Sequence, residues 1–143
     1  PERLRLEAEA ERLGLFPKGV RFWGARTDVP SLLHRAHIFV LTSEREGFPN
    51  VLLEAMAASL PVVTTPAGDA GIVVQDGVTG YVVSSSNSIE EIAERLVRLA
   101  SDADLRSALG SAGRSRVEQQ YSYHSLPQTL DKLYSTIIAN HGR

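Results

Sequence analysis

Ser43-Glu44-Arg45-Glu46-Gly47-Phe48-Pro49-Asn50-Val51-Leu52-Leu53-Glu54-Ala55-Met56-Ala57 is the stretch on which the fold reading turns. An unbroken apolar run, residues 38–41, precedes it and suggests a strand covered on both faces, as in a parallel sheet. An almost wholly apolar helix is expected over residues 51–58. Strand, glycine-containing loop and helix in that order put the loop at the carboxyl edge of the sheet, where open α/β folds bind ligands. The first-turn N–H groups of a helix beginning near Asn50 lack intrahelical acceptors and carry the positive end of its dipole, which suits a phosphate or a sugar hydroxyl. Gly47 lets the backbone approach such a ligand closely. Glu54 is the only charge in the run 51–58, so its carboxylate must be hydrogen-bonded, paired or facing a cleft. A ribose diol, with two adjacent donors, is a natural partner for it. Spacing alone also allows Glu46 and Glu54 to be ordinary solvated carboxylates.

Working outward, Leu6, Ala10 and Leu13 fall at helical spacing ahead of Gly14, which predicts an amphipathic helix over residues 2–13. Residues 20–23 read as a short strand closed by Gly24, and Asp28 with Pro30 in the first turn starts a short helix through Ala36. Residues 60–64 form the next buried strand, ended by Pro66. Asp76-Gly77 and Thr79-Gly80 are turn signals leading into a last strand at 81–83. From Ser88 the chain turns helical, with Glu91 to Arg95 and Glu94 to Arg98 as i,i+4 pairs. A second helix is expected over 103–119, and a third places Leu126, Leu130, Leu133, Ile137 and Ile138 on one stripe. Strands alternating with helices predict an α/β fold, a Rossmann-like parallel sheet with flanking helices. The expected organisation is one domain over 1–143, with 88–143 as its C-terminal helical segment.

Composition narrows the function. With 143 residues, 43% hydrophobic and 22% charged, the chain is long enough to bury a core. Fifteen basic against 17 acidic residues give a net charge of -2, and no basic cluster marks a nucleic-acid partner. The absence of cysteine removes disulfides, thiolate metal sites and thiol nucleophiles, and is compatible with a reducing compartment. The apolar runs are far shorter than a membrane span of about 20 residues, and residues 1–12 lack the apolar centre of a signal peptide. His34 and His37 sit three apart on one expected helix, but no third ligand has suitable spacing, so both read as structural and no metal is expected. Ser43, His37 and Asp69 do not form a nucleophile-elbow pattern. Gly68-Asp69-Ala70-Gly71 reads as a plain turn that could border a ligand site.

The run Glu46-Gly47-Phe48-Pro49-Asn50-Val51-Leu52-Leu53-Glu54 resembles the E-x7-E motif of family 4 glycosyltransferases, enzymes of the GT-B architecture. Leu60-Pro61-Val62-Val63 and Asp76-Gly77-Val78-Thr79-Gly80 follow in the order usual for that family, while Val20-Arg21-Phe22-Trp23-Gly24 and Ala36-His37-Ile38-Phe39-Val40-Leu41 match its preceding strands. The resemblance covers roughly residues 2–120 and is to the C-terminal, donor-binding domain. It implies that Glu46 lies beside the donor sugar near the reacting carbon and that Glu54 binds the nucleotide ribose. It also implies that the backbone of Gly47, Phe48, Pro49, Asn50 and Val51 faces the sugar and phosphates. Retention of anomeric configuration through an oxocarbenium-like transition state is implied, with the leaving diphosphate helping to deprotonate the acceptor and no metal or other cofactor. The implied partners are a nucleotide-sugar donor, UDP- or GDP-linked, a glycan, lipid-linked or small-molecule acceptor, and the N-terminal domain of the same enzyme. The expected location is cytoplasmic, with the parent enzyme able to sit at the inner face of the membrane.

The sequence departs from the family pattern in two respects. Members carry an Arg and a Lys that neutralise the diphosphate on a segment upstream of the first helix seen here, so transfer by this chain alone is not expected. Gly71-Ile72 stands where members commonly have Pro-Glu. By the same resemblance the chain would supply strands 3 to 6 of a six-stranded sheet and behave as a marginally stable fragment. Two other readings stay open: a non-catalytic nucleotide-sugar-binding module, and a GT-B-like nucleotide-sugar epimerase.

Overall fold

Three short parallel strands, β1 (Phe39–Leu41), β2 (Val62–Thr64) and β3 (Gly80–Val82), hydrogen-bond in the order β1-β2-β3. Phe39 pairs with Val62 and Val62 with Gly80. The structure, a computed structural model, describes residues 2–123. Six helices occur among them: α1 (Glu2–Arg12), α2 (Val29–Arg35), α3 (Asn50–Ala57), α4 (Ala70–Val73), α5 (Ile89–Ser101) and α6 (Ala103–Gln120). The third helix expected beyond residue 123 lies outside the described residues.

Both faces of the sheet are covered, which is why its strands read as continuous apolar runs. On one face Phe39, Leu41, Val62 and Val82 pack with Leu33 of α2, Leu52, Ala55 and Met56 of α3, and Ala70 and Val73 of α4. On the other, Val40, Val63 and Tyr81 pack with Ile92, Leu96 and Leu99 of α5 and with Leu105 and Leu109 of α6. Helix α6 serves both cores, because Val117, further along it, packs on the first. Gly110 makes its contact with α3 possible, since a Cβ there would lie 2.1 Å from the Ser59 carbonyl oxygen.

Helix ends follow local rules. Gly14 takes φ +67 past α1, while its N–H donates to Glu11 and that of Leu15 to Ala10, a Schellman closure. The same closure ends α3, with Ser59 and Leu60 donating to Met56 and Ala55, but Ser59 must then hold φ 60. Asp102 caps α6 by accepting from the Leu105 amide at 2.9 Å.

Four expectations are corrected. Residues 20–23 form no strand, because a strand needs a ladder partner and they do not dock on the outer edge of β1. Instead the Phe22 carbonyl accepts from Arg3 at 3.2 Å and the Phe22 ring packs on Phe16. The sheet therefore has three strands among the described residues rather than four. Of residues 68–71, read as a plain turn, Gly68 and Asp69 do turn but Ala70 and Gly71 open the short helix α4, and His37 lies beyond the end of α2 rather than on it. Of the two charge pairs on α5, Glu91 and Arg95 meet at 3.8 Å, whereas Arg98 lies over the Tyr81 ring at 6.0 Å.

Candidate functional site

Because β1 and β2 are parallel neighbours, the loops leaving their carboxyl ends emerge side by side. The first, residues 42–49, leads into α3; the second, residues 65–69, leads into α4. Three bonds tie this edge together, two of them from loop to loop. The Thr65 amide donates to Leu41 at 3.1 Å, the Thr65 hydroxyl to the Ser43 carbonyl at 2.5 Å, and the Asp69 amide to the Gly47 carbonyl at 3.1 Å. Gly68, at φ +54, presses so closely that a Cβ there would lie 2.3 Å from the carbonyl oxygens of both Glu46 and Gly47. Only glycine meets both demands, the left-handed backbone and the close approach.

Within the first loop Glu46, Gly47 and Phe48 are exposed, Pro49 is fully buried and anchors the turn, and Asn50 is exposed at the start of α3. No side chain caps α3, since its N-cap position is Pro49. The Asn50 amide bonds back to Phe48 and the Leu52 amide to Pro49. Among the described residues, no acceptor engages the amides of Gly47, Phe48 and Val51. The loop and helix start thus present unpaired donors at the positive end of a dipole, beside an exposed glutamate.

Glu54 stands one turn further, about 5.4 Å along α3, on the same exposed side as Asn50. It faces a cleft, the third of the alternatives open to a charge in that apolar run. The cleft, of about 240 Å³, lies between α2 and α3 and is lined by Pro30, Leu33, His34, Glu54, Ala57 and Ala58. The His34 Nδ1 donates to the Pro30 carbonyl at 2.7 Å. A carbonyl only accepts, so the proton is on Nδ1 and Nε2 is the nitrogen left for a ligand. At the other end of α2, Arg26 grips Asp28 with two bonds of 2.7 and 2.6 Å, which hold the Asp28 carboxyl below the usual carboxylate range.

A larger cavity of about 570 Å³ is lined by Arg21, Trp23, Arg26, Val29, Arg35 and Phe39, among others, and abuts the outer edge of β1. It contains no residue of the 43–57 stretch, so size alone does not locate the site. No group of three or more His, Cys, Asp or Glu side chains among the described residues could hold a metal ion. No described helix is long and apolar enough to cross a membrane.

The structure thus gathers Glu46, Gly47, Phe48, Asn50, Val51 and Glu54 along one loop and one helix side, with Pro49 beneath them. Sequence reasoning missed that His34 and Glu54 line one cleft, and it treated Gly68 and Asp69 as a bordering turn rather than the support of the loop. The signal for Gly68 was present in the glycine after β2. For His34 there was none, since nothing local indicates that α2 packs beside α3.

An α/β domain with an uncapped helix and a glycine loop at its carboxyl edge offers backbone donors where open α/β folds bind ligands. A family model described as glycosyl transferases group 1 matches residues 1–102, and the chain belongs to that family. Over 112 residues it is 36% identical to CapM, a capsular polysaccharide biosynthesis glycosyltransferase of Staphylococcus aureus, a match spanning 78% of this chain and 29% of CapM. Its fold is that of GT-B glycosyltransferases. It superposes on the C-terminal domain of the group 1 protein LpcC from Francisella tularensis with TM-score 0.72 and 32% identity, covering 85% of this chain and 63% of that domain. On Anabaena HepE, solved in complex with UDP-glucose, the TM-score is 0.81 at 28% identity, covering 93% of this chain and 36% of HepE. The chain therefore spans about a third of the length of these full-length relatives.

Proposed function

We propose that this chain forms the donor-binding part of a retaining glycosyltransferase that moves a hexose-type sugar from a nucleotide-diphosphate sugar to a glycan, lipid-linked or small-molecule acceptor. The observation that carries the reading is the arrangement along α3: unpaired amides and Glu46 at its start, and Glu54 one turn on at the mouth of a cleft. A donor laid along this side has its phosphates at the helix N-terminus, its ribose diol on Glu54 and its sugar beside Glu46. Similarity to a neighbour solved with UDP-glucose supports a nucleotide-diphosphate sugar as the class of ligand.

In this reading Glu46 favours positive charge developing at the anomeric carbon, and the amides of Gly47 and Phe48 hold sugar hydroxyls in place. The C–O bond to the diphosphate breaks as the acceptor oxygen arrives on the same face. The acceptor proton passes to the departing diphosphate, so no resident cofactor is needed. Parts of the whole protein beyond this chain bind the acceptor and supply the cations for the leaving group.

Binding of uridine, guanosine and adenosine diphosphates to this chain, followed by ligand-detected NMR for wild type and Glu54→Ala, tests the proposal. The expected result is selective binding of one nucleotide, weakened at least tenfold by loss of a charged hydrogen-bond acceptor, on the order of 1.5–3 kcal/mol. Equal binding by wild type and Glu54→Ala would reject the ribose role.

A further inference from the structure

The loop bearing Glu46 and Gly47 is held from behind by contacts that begin on α6. Half-buried Arg116 donates Nε to the Val73 carbonyl at 2.9 Å and Nη2 to the Ile72 carbonyl at 2.7 Å. The Tyr121 hydroxyl donates to the same Ile72 carbonyl at 3.3 Å, and the guanidinium lies 5.9 Å over the Tyr121 ring. Tyr121 in turn packs against Phe48, with ring centroids 6.2 Å apart.

Ile72 and Val73 are the last residues of α4, a helix of four residues that has no means of fixing its own orientation. Its carboxyl end is clamped by Arg116 and its amino end meets the loop, through the Asp69 amide on Gly47 and the close approach of Gly68 to Glu46 and Gly47. Two routes therefore run from the end of α6 to the loop: one through α4 to the 46–47 backbone, the other through Tyr121 to the Phe48 ring. Among the described residues no carboxylate pairs with Arg116, so its charge strengthens the bonds to these two carbonyls.

We infer that Arg116 is a positioning residue for the donor loop, setting the height of the Glu46–Gly47 backbone through α4 while touching no ligand itself. The inference rests on the donor-site reading above. Arg106 is its internal control: it makes the same kind of clamp, donating Nη1 to Leu99 at 2.6 Å and Ala100 at 3.0 Å, but on the end of α5.

The test compares Arg116→Met, Tyr121→Phe and Arg106→Met in the 15N-labelled chain. Amide shifts are read first; affinities for UDP, UDP-glucose, GDP and GDP-mannose follow. Arg116→Met should move the Gly47, Phe48 and Asp69 amides. It should also weaken the preferred nucleotide sugar by roughly three- to tenfold, the effect of one or two hydrogen bonds, with a smaller change for the nucleoside diphosphate. Tyr121→Phe should move the same amides less, and Arg106→Met should leave them in place. Unmoved loop amides in folded Arg116→Met, or equal movement in Arg106→Met, would overturn the inference. Should Arg116→Met not fold, unmoved Phe48 and Asp69 amides in Tyr121→Phe would do so. Silence of wild type to all four ligands would instead sink the donor reading, and the amide shifts would still decide the positioning role.

Discussion

The Asp69 amide donates to the Gly47 carbonyl at 3.1 Å, which joins the loops after β1 and β2 into one surface. Gly68, next to it, leaves no room for a side chain against Glu46 and Gly47. Gly68→Ala should therefore cost about 1–3 kcal/mol in chemical denaturation, from overpacking and a left-handed backbone. Nucleotide binding should fall with it, because the loop must retreat. Wild-type stability and binding in Gly68→Ala would contradict this joint.

Gly110→Ala offers a contrast. Its Cβ would meet the Ser59 carbonyl oxygen and part α6 from α3 at a point remote in sequence from the loop. Destabilisation of about 1–3 kcal/mol is expected from overpacking, with amide shifts concentrated at residues 56–61 in an NMR comparison.

Ser59 holds φ 60 without a glycine's freedom. Ser59→Gly should relieve part of the left-handed cost and raise stability by about 0.5–1 kcal/mol, net of the added freedom of the unfolded chain. A denaturation midpoint at or below wild type would show that the serine is not strained there.

Leu52 is fully buried between α3 and the sheet, whereas Glu54, two residues later, is exposed. Leu52→Ala should lower stability by about 2–5 kcal/mol, and Glu54→Ala by less than about 0.5 kcal/mol. Parallel urea titrations of the two variants separate core from site on one helix.

Glu91 accepts from the backbone amide and the hydroxyl of Ser84 at 2.9 and 2.8 Å and lies near Arg95, which together hold its carboxyl below the usual value of 4.5. A folded value below the unfolded one means the contribution is present above the unfolded value and fades as pH falls through the folded one. The melting temperature of Glu91→Gln should therefore lie below wild type near neutral pH, and the gap should close on acidification below about pH 4. A gap that does not change with pH would deny the carboxylate this role.

Sequence reading reached the elements whose signals are local. The apolar runs at β1 and β2, Gly14 at the end of α1 and the loop from Ser43 into α3 all announce themselves over a few residues. It failed where structure depends on distant partners. Residues 20–23 have the composition of a strand, yet whether they pair depends on a neighbour that composition does not reveal. Arg116 reaches back 43 residues to Val73, and no local pattern marks that contact. Glu46 and Glu54 were legible as a spacing; the cleft beside Glu54 was not, because it requires the packing of α2 against α3.

The central claim is that the donor lies along the start of α3. Titrating the 15N-labelled chain with UDP-glucose and GDP-mannose and mapping the amide shifts tests it most directly. The account predicts shifts at Gly47, Phe48, Asn50, Val51 and Glu54, spreading to His34 across the cleft. Shifts gathered instead at Arg21, Trp23 and Arg35, around the larger cavity beside β1, would contradict it.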